Sequence, residues 1–307
     1  MAGASGVLGR SLVPRLVAAG HDVTGTTRSR QRAEGIRAAG ASPAVVDALD
    51  TEALRDAVER ASPEVVVHEL TALPQRWNPR KSDFYEPTNR IREEGTRNLV
   101  AAAGAAGARR LVCQSVAFAY APGPEPEVVD EQTPLNLRAP PPFGDGVRAI
   151  DGMERAVLGA EPLEGLVLRY GWFYGPGTHY GEHGSIAWDV RKRRVPVVGS
   201  GVGLFSWIHV DDAADATVAA VERGTPGVYN VVDDEPAALR DWLPVYAEAI
   251  GARPPRHVPV WLARLFAGKV ASAVNSQSGA SNAKAKRELG WEPRWSTWRE
   301  GFREAAR

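Results

Sequence analysis

The chain contains one cysteine, Cys113, so no intramolecular disulfide can form, which fits a reducing compartment. It has no net charge, with Lys plus Arg and Asp plus Glu at 37 each. That balance gives no field to attract nucleic acid or a membrane surface. No run approaches the roughly 18 consecutive apolar residues of a membrane span, and the N-terminus lacks a charged region followed by an apolar one. Lysine is missing between Lys81 and Lys192, and no internal repeat is apparent. The one dense basic run, Arg191 to Arg194, reads as a solvated helix end or as a contact for an anionic substrate. These absences predict a cytoplasmic protein.

What the sequence has in quantity is apolar: 44% of 307 residues, enough to bury a large core. The first half alternates β-branched runs with alanine-rich helical segments, the pattern of parallel βαβ units. Strands are expected at His21 to Thr26, Ala44 to Val46, Glu64 to His68, Arg110 to Gln114 and Leu166 to Arg169. Helices are expected at Gly9 to Ala19, Gln31 to Ala39, Thr51 to Arg60, Arg90 to Ala106 and Val147 to Leu158. This predicts an α/β fold, a Rossmann-type doubly wound parallel sheet binding ligands at the carboxyl ends of its strands. Residues 1–170 form the dinucleotide-binding domain, with 205–232 returning to it, and 171–204 with 233–307 form a smaller substrate-binding lobe. Ala121 to Pro142, rich in proline, reads as a long loop.

The chain opens MAGASGVLGR, with Gly3, Gly6 and Gly9 spaced as a phosphate-cradling turn. Gly3 permits the tight turn, Gly6 lets the backbone approach a pyrophosphate, and Gly9 lets the helix pack close to the sheet. Ser5, Val7 and Leu8 complete the turn, and free N–H groups at the helix N-terminus face the phosphates. Such a turn needs a strand before it, yet only Met1 and Ala2 precede this one. That strand is central in the fold, so the natural chain is expected to start upstream; otherwise its neighbours would carry unpaired buried groups. After the next strand stands Arg28 rather than a ribose-binding acid, which favours NADP over NAD. Asp47, followed by Ala48, stands where a carboxylate can reach the adenine amino group or cap a helix.

Eight segments together resemble the extended short-chain dehydrogenase/reductase family, the NAD(P)-dependent epimerase/dehydratase group. They are GASGVLG at 3–9, VVVHELTAL at 65–73, EGTRNLVAAA at 94–103, RRLVCQSVAFAY at 109–120, LRYGWFYGPG at 168–177, FSWIHVDDAADA at 205–216, GVYNVVDDEP at 227–236 and KRELGWEP at 286–293. The resemblance implies a cofactor across the switch point, with Leu70 and Thr71 beside the dinucleotide and Tyr174 to Gly177, including Pro176, near the nicotinamide. It also implies pairing into a homodimer. The family's chemistry uses a Ser or Thr that holds the substrate oxygen and a Tyr-x-x-x-Lys pair whose lysine lowers the tyrosine pKa. Here the serine position falls on Val116, with Ser115 one residue earlier. The pair falls on Gly146 and Ile150, or on Phe143 and Val147 in a shifted frame, and no frame restores the lysine. Arg92 stands where the family carries an asparagine.

Ser115, Tyr120 and Tyr174 are the replacement catalytic groups that position suggests, each with ordinary packing as its alternative. His179 and His183 sit in a glycine-rich stretch, so a loop with substrate contact by His179 or Tyr180 is expected there, and no metal. Two functions follow. One is an NADP-dependent oxidoreductase, epimerase or dehydratase acting on a sugar, polyol or small carbonyl compound with an unusual proton donor. The other is a dinucleotide-binding sensor or partner protein, or a non-redox isomerase or cyclase on the same fold.

Overall fold

A computed structural model describes residues 1–74, 76, 83–267 and 274–305. Six parallel strands carry the architecture: β1 (Thr24–Thr27), β2 (Ser42–Val45), β3 (Val65–His68), β4 (Arg110–Val116), β5 (Glu164–Tyr170) and β6 (Gly227–Val231). β2 lies beside β1, and β3, β4, β5 and β6 follow in that order. The gap between β1 and β3 is filled by the first two residues: Ala2 bridges Thr26 on one side and His68 on the other, both parallel. Its N–H donates to Val67 at 2.7 Å, and the Met1 carbonyl accepts from Thr26 at 2.8 Å. The expected shortage of partners at the centre of the sheet is thus made good at these positions by Met1 and Ala2. Burial lowers the Met1 ammonium to about 6, and it donates to the Thr24 carbonyl at 2.7 Å.

Helix α1 (Val7–Ala18) buries Leu8, Leu12 and Leu16 at one-turn spacing against one face of the sheet. α2 (Arg30–Ala38) joins it through Ile36. On the opposite face lie α3 (Thr51–Ala61), α4 (Thr96–Ala105) and α5 (Phe143–Leu158), meeting through Leu54, Leu99, Met153 and Val157. α6 (Val210–Glu222) returns to the α1 side through Ala213, Ala216 and Ala220. The chain therefore winds outward from Ala2 to β2, then restarts at β3 on the other side, and that reversal opens a crevice at the carboxyl ends.

Ahead of α4 runs Glu86–Arg90 and a π-helical turn, Ile91–Gly95, a detail that the expected regular helix did not include. A third core of Trp207, Trp242, Tyr246, Trp298 and Phe302 stands beyond the strand ends, where Trp172–Tyr174 pairs with Trp207–His209. The proline-rich loop packs on α5 through Leu135 and Val129, and Val128–Val129 pairs with Gly279–Ala280.

Candidate active site

The crevice at the switch point is a cavity of about 1210 Å³ that runs from the glycine turn to the loop around His179. At its first end Gly3 has φ +93°, and a Cβ there would lie 2.6 Å from the Glu69 carbonyl oxygen, so the two loops of the switch point touch. A Cβ on Gly9 would lie 2.5 Å from the Ala4 carbonyl oxygen, which shows how closely the turn folds over α1. Gly6 is the N-cap and offers no side-chain cap, and the first turn of α1 holds no acid. The N–H groups that open a helix lack intrahelical partners, and Val7, Leu8 and Gly9 line the cavity there. Arg10 and Arg32 also line the cavity. A backbone cradle closed to side chains, with free donors and the Arg10 guanidinium 3.4 Å from the Ser5 carbonyl, fits a dinucleotide's pyrophosphate.

Of the other expected cofactor residues, Ser5, Thr71 and Pro176 line the cavity, and Ser5 Oγ lies 3.0 Å from Thr27 Oγ1. Arg28 is exposed and absent from the lining, where Arg32 stands instead. Asp47 Oδ1 accepts from Leu49 N–H at 3.0 Å, closing a local turn. The Ala48 carbonyl accepts from Asn98 at 3.0 Å. Leu70 donates its N–H to His68 Nδ1 at 3.2 Å, and its neighbours Glu69 and Thr71 face the cavity in its place.

The three expected catalytic hydroxyls separate. Ser115 lines the cavity but is 2% exposed, and its Oγ donates to Glu154 Oε1 at 2.6 Å. A hydroxyl has one hydrogen, so Ser115 can accept from a ligand but has none left to give. Glu154 in turn holds Arg169 through bonds of 2.9 and 2.6 Å, a buried ion pair between α5 and β5. Tyr120 lies outside the lining: its hydroxyl donates to Asn230 Oδ1 at 2.6 Å in the core under the proline-rich loop. Tyr174 also lies outside it, fully buried beside Trp207, Phe302 and His209, with its hydroxyl against Gly301. Burial pushes both phenols up, helped at Tyr174 by Asp233 and Asp212.

Phe143, Gly146, Val147 and Ile150 form the part of α5 that faces the cavity, so neither frame of the Tyr-Lys positions supplies a titratable group. Beside them lie groups that sequence reasoning did not bring together. A Cβ on Gly146 would be 3.7 Å from both the Tyr85 ring and Arg92 Nη1. Burial raises Tyr85 to about 12 against the pull of Arg92, and lowers Arg92 to about 10. Glu69 also lines the cavity; burial raises it to about 8, opposed by the Tyr170 hydroxyl bond of 3.1 Å. Phe118 and Trp172 stack at 4.1 Å between ring centroids and form an aromatic wall. His179 lines the far end, with Nδ1 2.9 Å from Ser185 Oγ. No group of three potential metal ligands occurs among the described residues, and no described helix is long and apolar enough to cross a membrane. The signal for Glu69 was present in the sequence, as an acid directly after the strand at the switch point.

Residues 1–231 match the NAD dependent epimerase/dehydratase family. The chain is 48% identical over 98% of each sequence to a 3-diazoavenalumate denitrifying reductase of a Streptomyces species. It is 30% identical, over 82% of this chain and 72% of the relative, to a 4-hydroxy-2-methyl-3-oxo-4-farnesyl-3,4-dihydroquinoline-1-oxide ketoreductase of Stigmatella aurantiaca. The UDP-glucose 4-epimerase of Thermotoga maritima, solved with UDP-glucose, superposes with a TM-score of 0.78 over 99% of this chain and 96% of that one, at 19% identity. The fold is therefore that of the epimerases. The chain belongs to the NAD-dependent epimerase/dehydratase family and is an enzyme.

Proposed function

We propose that the protein is an NADPH-dependent reductase that removes nitrogen from a small aromatic diazo carboxylate. The observation that carries this reading is the face of α5 toward the cavity, where Phe143, Gly146, Val147 and Ile150 present no acid and no base. Reducing a carbonyl requires a proton for the oxygen as well as a hydride. Reducing a diazonium carbon does not: a C–H bond forms from the hydride, the C–N bond breaks, and its electron pair leaves with neutral dinitrogen. The bound cofactor supplies that hydride. What remains for the protein is to bind and orient the ring and exclude water, tasks suited to the stacked Phe118 and Trp172. The similarity at 48% identity to a reductase described as denitrifying a diazo compound supports the same chemistry.

The test supplies a diazotised aminoaryl carboxylic acid and NADPH deuterated on the transferred position. Expected are dinitrogen and NADP in equal amounts above the protein-free rate, deuterium on the carbon that carried nitrogen, and a solvent isotope effect near one. NADPH oxidation by a sugar or small carbonyl compound, or NADP reduction by a polyol, with no turnover of the diazonium, would overturn it. That second reading has one observation in its favour: the Tyr85 phenol beside Gly146 would then give the proton.

A further inference from the structure

Three arginines among the described residues are buried to the same degree: Arg92, Arg110 and Arg169 are each 6% exposed. Two have carboxylate partners. Arg110 Nη2 lies 2.8 Å from Glu164, and Arg169 Nη2 lies 2.6 Å from Glu154. Arg92 has none among the described residues. Its Nη1 donates to the neutral amide oxygen Asn89 Oδ1 at 3.1 Å, and its Nε is buried without any acceptor. The undescribed residues 75, 77–82, 268–273 and 306–307 contain no aspartate or glutamate. A buried cation left without an anion is costly, and native proteins rarely keep one idle.

Arg92 is also placed for a ligand. It rides on the π-helical turn Ile91–Gly95, a backbone form that recurs at functional sites, and it lines the cavity. Gly146, which also lines the cavity, lets the α5 backbone come close to it: a Cβ there would already be in van der Waals contact with Nη1, at 3.7 Å. The Tyr85 ring lies at the same distance from that position and lines the cavity as well. The glycine turn has its own cations in Arg10, whose Nη1 donates to the Ser5 carbonyl at 3.4 Å, and Arg32, so Arg92 is not needed for the cofactor's phosphates.

We infer that Arg92 is the anchor for the substrate's carboxylate, holding a planar aromatic acid by a charge-assisted bond beside the α5 face. A guanidinium suits this because its fork meets a carboxylate through two donors. The assignment rests on reading the cavity as a reductase's substrate site, and not on the fate of the diazo group.

The test uses the full chain saturated with NADP and two probes, cinnamate and cinnamamide, which share shape and differ in charge. Wild type should bind the acid more tightly than the amide by about tenfold or more. Arg92→Gln should abolish that preference while leaving NADPH affinity unchanged, and Arg92→Lys, which keeps the charge, should restore part of it. Thermal melts with and without cinnamate give the same contrast independently of any loss of folded protein in a variant. Equal binding of acid and amide by wild type, or an acid preference that survives in Arg92→Gln, overturns the anchor. So does a parallel loss of NADPH affinity, which would make the cofactor the anion. Acid preference without diazonium turnover sinks the diazo reading alone; turnover indifferent to Arg92 sinks the anchor alone.

Discussion

Ser115 Oγ donates to Glu154 Oε1 across 2.6 Å, so the serine at the cavity wall is tied to the buried carboxylate that neutralises Arg169. One acid thus serves both the site and the core. Glu154→Gln would leave Arg169 buried without a counter-charge and should cost about 3–5 kcal/mol in urea denaturation. Ser115→Ala should cost about 1–3 kcal/mol, because Glu154 loses one donor, and should leave NADPH affinity within about twofold. A Ser115→Ala protein of unchanged stability that no longer turns over would instead make Ser115 a substrate contact.

Glu69 sets a pH dependence whose sign can be worked out. Burial raises it from 4.5 to about 8 in the folded chain, with the Tyr170 hydrogen bond opposing. Between those values the unfolded chain has lost a proton that the folded chain keeps, so stability falls as pH rises. The contribution is whole below pH 4.5 and gone above about 8. The difference in unfolding free energy between wild type and Glu69→Gln should therefore slope against wild type across that window, approaching about 1.4 kcal/mol per pH unit. Parallel profiles would show that Glu69 is ionised in the folded protein.

Much of this was legible from local pattern. The five strands and five helices read from the first half of the chain lie within a few residues of the observed ones, because two-residue and 3.6-residue periodicities are local properties. α5 begins at Phe143 rather than Val147 because Gly144 and Gly146 carry no side chain to mark a period. The glycine turn was legible for the same reason, its spacing lying within seven residues. Tyr174 was misplaced because a three-residue strand is too short for alternation to assign its face. Tyr85, Arg92 and Gly146 come from different elements, and only tertiary packing brings them together.

Two glycine-to-alanine variants should respond in opposite directions. Gly9→Ala sets a methyl 2.5 Å from the Ala4 carbonyl oxygen, in backbone that cannot yield without reopening the turn. It should lower NADPH affinity by about tenfold or more and destabilise the fold by about 1–3 kcal/mol. Gly35 lies in α2 with nothing within 4 Å of its Cβ position. Gly35→Ala should stabilise by about 0.5–1 kcal/mol through helix propensity alone and leave affinity unchanged. Fluorescence titration with NADPH and a melt of each variant check both.

Cofactor choice should follow Arg32 more than Arg28. Both stand near the start of α2, where a ribose 2′-phosphate is expected, but only Arg32 lines the cavity, while Arg28 is exposed outside it. An arginine that reaches the phosphate adds a charge-assisted hydrogen bond, and one that points into water adds a screened long-range attraction. NADPH should therefore bind more tightly than NADH, and Arg32→Ala should erase about tenfold of that preference at low salt. Arg28→Ala should change it by about twofold at most, and less as ionic strength rises. Equal affinities for the two cofactors in wild type would remove the 2′-phosphate from this end of the cavity. A preference lost with Arg28 but kept without Arg32 would mean that the bound cofactor draws the exposed arginine inward and that Arg32 serves the pyrophosphate instead.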